Sequence, residues 1–203
     1  MIYYPVQALV RAGITDILVV TGVEHIGDIV SQLRSGEEHG CRFTYRVQER
    51  PLGIADALSL AEDFARGEPV VVVLGDNIFD APLAAHLAAF TASGAAAQIH
   101  LHRVGDPQRF GCPRFDGARL VEIIEKPDDP PSDFAVTGIY IFDAQVYGFI
   151  QTLTPSPRGE LEISDINNRY LSQGTLRHTE LTGYWTDAGT HASLALANQL
   201  VSG

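Results

Sequence analysis

The sequence predicts an α/β protein on a mixed, mainly parallel sheet. Three observations carry that reading. Short apolar runs of strand length alternate with amphipathic stretches of helix length, Gly and Pro fall between them, and the second half switches to a hairpin pattern. Taken in order, "YYPVQALVRAG" is a helix with Pro in its first turn and Gly past its end. "DILVVTG" is a short buried strand, "EHIGDIVSQLRSG" a helix and "RFTYRV" a strand. "GIADALSLAEDFARG" is one amphipathic helix closed by Gly67, and "PVVVVLGDN" is a β-branched run of strand length. "APLAAHLAAFTASG" is helical and "AAQIHLHRV" extended. "FGCPRFDGARLVEIIEKP" carries Asp116-Gly117 between two extended stretches, a hairpin signal. "FAVTGIYIFD" is a strand, "LEISDINNRYLSQG" a helix, "TLRHTEL" a strand and "THASLALANQL" a closing helix. With no internal repeat and no linker, residues 1–203 read as one domain.

Composition narrows the function. A 45% hydrophobic content is enough for a core. The formal net charge of −11 argues against nucleic acid or an anionic membrane as partner, because both need clustered cations. It does not argue against a phosphorylated small molecule, whose charge a bound Mg²⁺ and a few local cations offset. No apolar run is long enough to span a bilayer and no signal peptide is visible, so a reducing cytoplasm is the expected location, with Cys41 and Cys112 as free packing thiols. His100 and His102 share a strand face that could suit a metal, but no third ligand is nearby in sequence.

Several loop residues can carry chemistry. Asp76 follows the apolar run "VVVVL" at the place where open α/β sheets collect ligands; it suits Mg²⁺, a ribose hydroxyl or simply a turn. Gln48 ends a strand before a Pro-x-Gly loop at Gly53 that lets backbone approach a flat ligand, or merely connects strand to helix. Glu125 and Lys126 close a strand. Of fourteen cationic residues thirteen are arginine, so the lone Lys126 is a candidate for a site that wants a compact point charge. Arg158 precedes a helix and suits a phosphate. Asp187, in an aromatic-Gly loop, is either a helix cap or a second carboxylate completing a Mg²⁺ site with Asp76.

Together, "MIYYPVQALVRAGITDILVV", "VLGDNIF", "RFGCPRF", "EKP", "FAVTGIYIFD", "SPRGELEISDIN" and "YWTDAGTH" resemble the sugar-1-phosphate nucleotidyltransferases, and among them the glucose-1-phosphate thymidylyltransferases of the dTDP-sugar (rhamnose) pathway. The resemblance implies a Rossmann-like, three-layer nucleotidyltransferase fold and a reaction of dTTP with glucose-1-phosphate to give dTDP-glucose and pyrophosphate. It implies that Gln48 and Gly53 contact the base, and that Asp76 sits at the nucleotide and holds Mg²⁺ with Asp187. Gly111, Glu125 and the stretch Val136–Gly138 would line the sugar, while Lys126 and Arg158 grip its phosphate. Asp76, Lys126 and Arg158 are then the catalytic set. A homo-oligomer, a tetramer by resemblance, is also implied.

The sequence departs from the family in Phe110, where Tyr is frequent, and in Cys112-Pro113; Pro113 lacks a ladder donor and calls for an edge or a bulge. It looks like a short form without the helical extension of longer members. The family also carries a strand and a Gly-rich loop of the G-G-x-G-T-R-L kind ahead of the stretch "MIYYP". On that reading the chain begins at an internal methionine, the strand would lie between "DILVV" and "VVVVL", and the triphosphate cradle is missing, leaving activity of the chain alone in question. Two alternatives stand beside the transferase: a non-catalytic sugar-phosphate-binding or regulatory remnant of the same fold, and a uridylyltransferase. A Rossmann dehydrogenase is disfavoured, since no G-x-G-x-x-G follows a strand.

Overall fold

Residues 1–189 are described by the structure, a computed structural model; the helix expected over "THASLALANQL" lies outside the described residues. Helix α1 (Tyr3–Arg11) buries Pro5, Val6 and Leu9 and stops at Gly13, whose φ of +85° allows the amides of Gly13 and Ile14 to close back on Val10 and Leu9. Strand β1 (Asp16–Gly22), helix α2 (Ile26–Leu33) and strand β2 (Arg42–Gln48) follow, the two strands parallel and in register from Asp16 opposite Arg42 to Gly22 opposite Gln48.

The next helical stretch is two helices, α3 (Ile54–Ser59) and α4 (Glu62–Ala65), not one. At Leu60 and Ala61 the backbone tightens to bonds three residues back, which lets both pieces lay small apolar faces on one core. The valine run gives β3 (Val70–Val73), which ends sooner than the sequence suggests. A turn closed by the Asn77 amide on the Leu74 carbonyl starts a second short strand, β4 (Asn77–Phe79). Helix α5 (Leu83–Ser93) and β5 (Ala97–Arg103) come next. The hairpin of β6 (Gly111–Asp116) and β7 (Arg119–Glu125) turns at Gly117, with φ +59°. Pro113 lies in β6, which among the described residues pairs with β7 alone and is irregular just beyond Pro113, so the missing donor costs no ladder bond on a second side there.

Strand β8 (Phe134–Phe142) leads to α6 (Gln145–Ile150), a helix the sequence reading missed; the Asp143 carboxylate accepts the Gln145 amide at its start. Helix α7 (Ile163–Ser172), β9 (Leu176–Glu180) and β10 (Trp185–Asp187) complete the described chain. The larger sheet has the order β3-β8-β5-β9: β8 runs antiparallel to β3 and β5, while β5 and β9 are parallel. Strand β10 pairs antiparallel with β4, joining Asp187 to Asn77.

Two cores flank these strands, giving three layers. Side chains of α3, α6 and α7 meet Ala97, Ile99, Tyr140 and Phe142 on one face. On the other, α1, α2 and α5 meet Ile17, Val19, Ile139 and Trp185. Strands β1 and β3 contribute to both: Leu18 joins Val70 and Val72 on the first face, and Ile17 and Val19 join Val71 and Val73 on the second. They therefore belong to one layer. Among the described residues no strand pairs with the edge that either turns away from β2 or β8.

Candidate active site

The strand ends and loops gather into one cleft. It is lined by Asp76 after β3 and Asn77 at the start of β4, Arg109 and Phe110 before β6 and Gly111 at its start, Glu125 at the end of β7 and Lys126 after it, and Val136, Gly138 and Tyr140 of β8. Arg158, Glu160, Glu162 and Ser164 before and within α7 close one side, and Trp185 and Asp187 of β10 the other. Seven of the nine candidate residues thus meet: Asp76, Gly111, Glu125, Lys126, Val136, Arg158 and Asp187. Gln48 and Gly53 do not line it. They stand behind Ile54, which does. The Gln48 amide nitrogen donates to the Asp56 carboxylate at 2.7 Å and to the Gly53 carbonyl at 3.1 Å, so a base edge arriving here would meet its oxygen. Gly53 is fixed for another reason. With φ +97° and the Leu161 carbonyl 2.6 Å from where a Cβ would be, the loop tolerates no side chain.

Asn77 builds the floor. Its Oδ1 accepts the Gly138 amide at 2.9 Å and the Trp185 indole N–H at 2.7 Å, and its Nδ2 donates to Asp76 at 2.9 Å. One buried amide thereby ties three distant segments together. A second tie runs from the Ala188 amide to the Asp76 carbonyl, 2.8 Å. The effect is to aim the Asp76 and Asp187 carboxylates at the same point: a Cβ at Gly189 would lie 2.8 Å from Asp187 Oδ1 and 3.2 Å from Asp76 Oδ2. Burial first, and the neighbouring Asp187 charge as well, push Asp76 above the usual carboxylate range despite the bond from Asn77. Arg109, which sequence reasoning missed, reaches Asp187 at 3.3 Å and Asp106 at 2.9 Å, and lies 5.1 Å over the Phe110 ring. Phe110 packs edge-on against Trp185 at 5.4 Å, forming an aromatic wall.

The opposite wall is a cation held among carboxylates. Arg158 grips Glu162 with Nε and Nη2 at 2.9–3.1 Å, reaches Glu160 at 3.1 Å, and has Glu125 at 3.7 Å. Burial acts to raise Glu162, but the bonds from Arg158 and Ser156 outweigh it and hold Glu162 below its ordinary value. Glu125 goes the other way. Burial and the Glu162 charge raise it, against a bond from the Ser164 hydroxyl and the nearby Lys126 and Arg158. Gly111 leaves this corner open, since a Cβ there would come within 3.0 Å of Ser164 Oγ. Lys126 is exposed, with φ +43°, its amide tied to the Phe110 carbonyl at 3.0 Å. Asn77, Arg109, Glu162, Ser164 and Trp185 all sit inside the motifs that carry the resemblance, so their signal is present; what the sequence does not reveal is which partners Asn77 and Arg109 hold, because those contacts join distant segments.

Counted by charge, the cleft lining holds five carboxylates against three cations. A polyanionic ligand entering such a site needs added positive charge, and two converging carboxylates suit a hard divalent cation whose remaining ligands are water and phosphate oxygen. Among the described residues no cluster of three or more His, Cys, Asp or Glu side chains forms a self-sufficient metal site.

The chain is 43% identical to glucose-1-phosphate thymidylyltransferase of Neisseria meningitidis serogroup A over 99% of its own length and 71% of the relative's. It is 42% identical to the enzyme of the same name from Xanthomonas campestris pv. campestris strain B100, over 96% of this chain and 67% of that one. In three dimensions it resembles a Bacillus anthracis protein assigned as a glucose-1-phosphate thymidylyltransferase and crystallised with sucrose, with TM-score 0.93 and 51% identity over 98% of this chain and 81% of that one. The family model described as "Nucleotidyl transferase" matches residues 1–202, and with a cleft of this construction the chain belongs to that family.

Proposed function

We propose that the cleft transfers a thymidylyl group from dTTP to glucose-1-phosphate, giving dTDP-glucose and pyrophosphate. The observation that carries the reading is the convergence of Asp76 and Asp187 on one point, in the same cleft as Lys126 and Arg158. The names of the relatives supply the substrates. A phosphate oxygen of the sugar phosphate attacks the α-phosphorus, and the bond from that phosphorus to the bridging oxygen breaks, its electron pair leaving with pyrophosphate. No covalent enzyme intermediate is required, so alignment and charge neutralisation carry the catalysis.

Each residue then has a task. Asp76 and Asp187 would hold Mg²⁺, which when bound neutralises phosphate charge. Lys126 meets the sugar phosphate as a point charge, and Arg158 shifts from its glutamates toward the same group. Glu125, Glu162 and Ser164 accept and donate to sugar hydroxyls, beside the backbone of Gly111 and Val136–Gly138. Gln48 and Gly53 lie on the side where the base would stack. The product would serve dTDP-sugar synthesis, as for rhamnose, in the cytoplasm.

Pyrophosphate release by the native gene product, measured with Mg²⁺, glucose-1-phosphate and either dTTP or UTP, tests this. Turnover with dTTP above UTP is expected, and Asp187→Asn lowers it by about 100-fold or more. Turnover with UTP alone makes the protein a uridylyltransferase. Glucose-1-phosphate binding by calorimetry with no turnover on either nucleotide would leave a binding module.

A further inference from the structure

The strand that forms the sugar-side wall is irregular at one place. Ile99 of β5 pairs with Tyr140 of β8, and Leu101 with Val136, so Thr137, Gly138 and Ile139 all lie opposite the single residue His100. Such a bulge bends its strand and re-aims what it carries. Here it carries Val136 and Gly138 into the cleft. Toward β5 the extra residues have lost ladder partners, although Ile139 still pairs with Val73 of β3, and backbone groups facing β5 would be costly to bury unpaired.

His100 replaces one of those partners, at the Ile139 carbonyl, and adds a tie to the Thr137 side chain. It is fully buried, does not line the cleft, and packs against His86 of α5. Its Nδ1 is 3.0 Å from the Ile139 carbonyl, and its own carbonyl accepts the Thr137 hydroxyl at 3.0 Å. A carbonyl only accepts, so Nδ1 carries the proton, and Nε2 accepts from the Gln98 amide at 2.9 Å. The neutral imidazole is thereby locked in one tautomer, with the His86 ring edge-on at 4.7 Å. On the cleft side the bulge is pinned by Asn77 Oδ1 on the Gly138 amide and the Leu74 amide on the Gly138 carbonyl, both 2.9 Å.

We propose that His100 is a positioning residue for the sugar-phosphate half of the site: from outside the cleft, its Nδ1–H and its backbone carbonyl hold the β8 bulge in the shape that presents Val136–Gly138 to the ligand. The inference rests on the proposed function for its kinetic readout, but its structural readout does not. His100→Phe keeps the ring volume and removes the donor. His100→Asn keeps an N–H near the Nδ1 position.

In the native gene product, His100→Phe is expected to raise KM for glucose-1-phosphate about tenfold while leaving KM for dTTP within about twofold, and His100→Asn to restore most of that loss. Amide exchange at residues 136–140 rises in His100→Phe and not in α7. If the Phe variant does not fold, Thr137→Val, which removes the second tie at constant shape, is expected to give the same split. Wild-type KM and wild-type exchange at 136–140 in these variants would overturn the proposal, as would equal loss for both substrates with exchange raised throughout. A wild-type protein with no glucose-1-phosphate turnover refutes the functional reading alone; the exchange comparison then decides the role of His100.

Discussion

At the scale of single residues, the cleft depends on atoms that touch no ligand. Asn77 Oδ1 serves donors 61 and 108 residues away, Gly138 N–H and the Trp185 indole. Asn77→Leu leaves both unpaired in a buried place and is expected to cost about 2–5 kcal/mol, read as a lower urea midpoint at unchanged m-value. Gly138→Ala drives a methyl to 2.7 Å from Asn77 Nδ2 and Leu74 Cγ. Rigid neighbours on both sides leave it nowhere to go, so a loss of about 1–3 kcal/mol is expected in the same measurement. These partners also mark what the sequence hid. Asp76, Lys126, Arg158 and Asp187 end strands or open helices, and they do line one cleft; pattern alone leaves each a structural alternative, a turn, a charge pair or a cap, and only the resemblance of the motifs together joins them in one site. Asn77 was legible only as a turn former, because its two acceptor bonds join segments that no spacing relates. Gln48 reads as free to meet a base edge, but Asp56 in the first turn of α3 already holds its amide, a contact that no local pattern announces.

Among the elements, strand direction and helix continuity were the hardest to read. Periodicity locates β8 but cannot show that it runs antiparallel between β3 and β5; that follows from the β6–β7 hairpin returning the chain to the end where β5 finished, with Phe134 opposite Arg103. The helix through Leu60 was read as continuous because its apolar spacing is continuous, yet a local tightening splits it. Helix α6 was overlooked because its six residues are too few for a period to register. By contrast, α1 was fully legible: Pro in the first turn, Gly13 after the last. Gly13 has open space around its Cβ position but φ +85°, so Gly13→Ala incurs backbone strain alone. A loss of about 1 kcal/mol is expected in thermal or urea unfolding, smaller than at Gly138, where sterics dominate.

For the whole molecule, buried imidazoles set an acid limit on stability. Burial first lowers His100 to about 4, with His86 of α5 and Arg177 of β9 adding repulsion and the Ile139 carbonyl opposing. The unfolded chain binds a proton there near pH 6.5, so between pH 6.5 and about 4 it holds more protons than the folded state, and stability falls as pH drops through that window. His86 and His178, lowered mainly by burial, act in the same sense. Asp76, Glu125 and Asp165, raised chiefly by burial, oppose it at the acid end, because the folded state takes up their protons first. From pH 7 to pH 5 the His100 part amounts to about 2 kcal/mol, so His100→Asn is expected to flatten the pH dependence of urea unfolding by about that amount relative to wild type.

The chain contains a single tryptophan, and it is Trp185, buried in the cleft wall against Phe110 and donating to Asn77. Its emission therefore reports on one place only. Ligand entering the cleft, or solvent reaching the indole when the Asn77 bond breaks, changes the colour and intensity of that light, so the protein carries a built-in optical gauge of its own site.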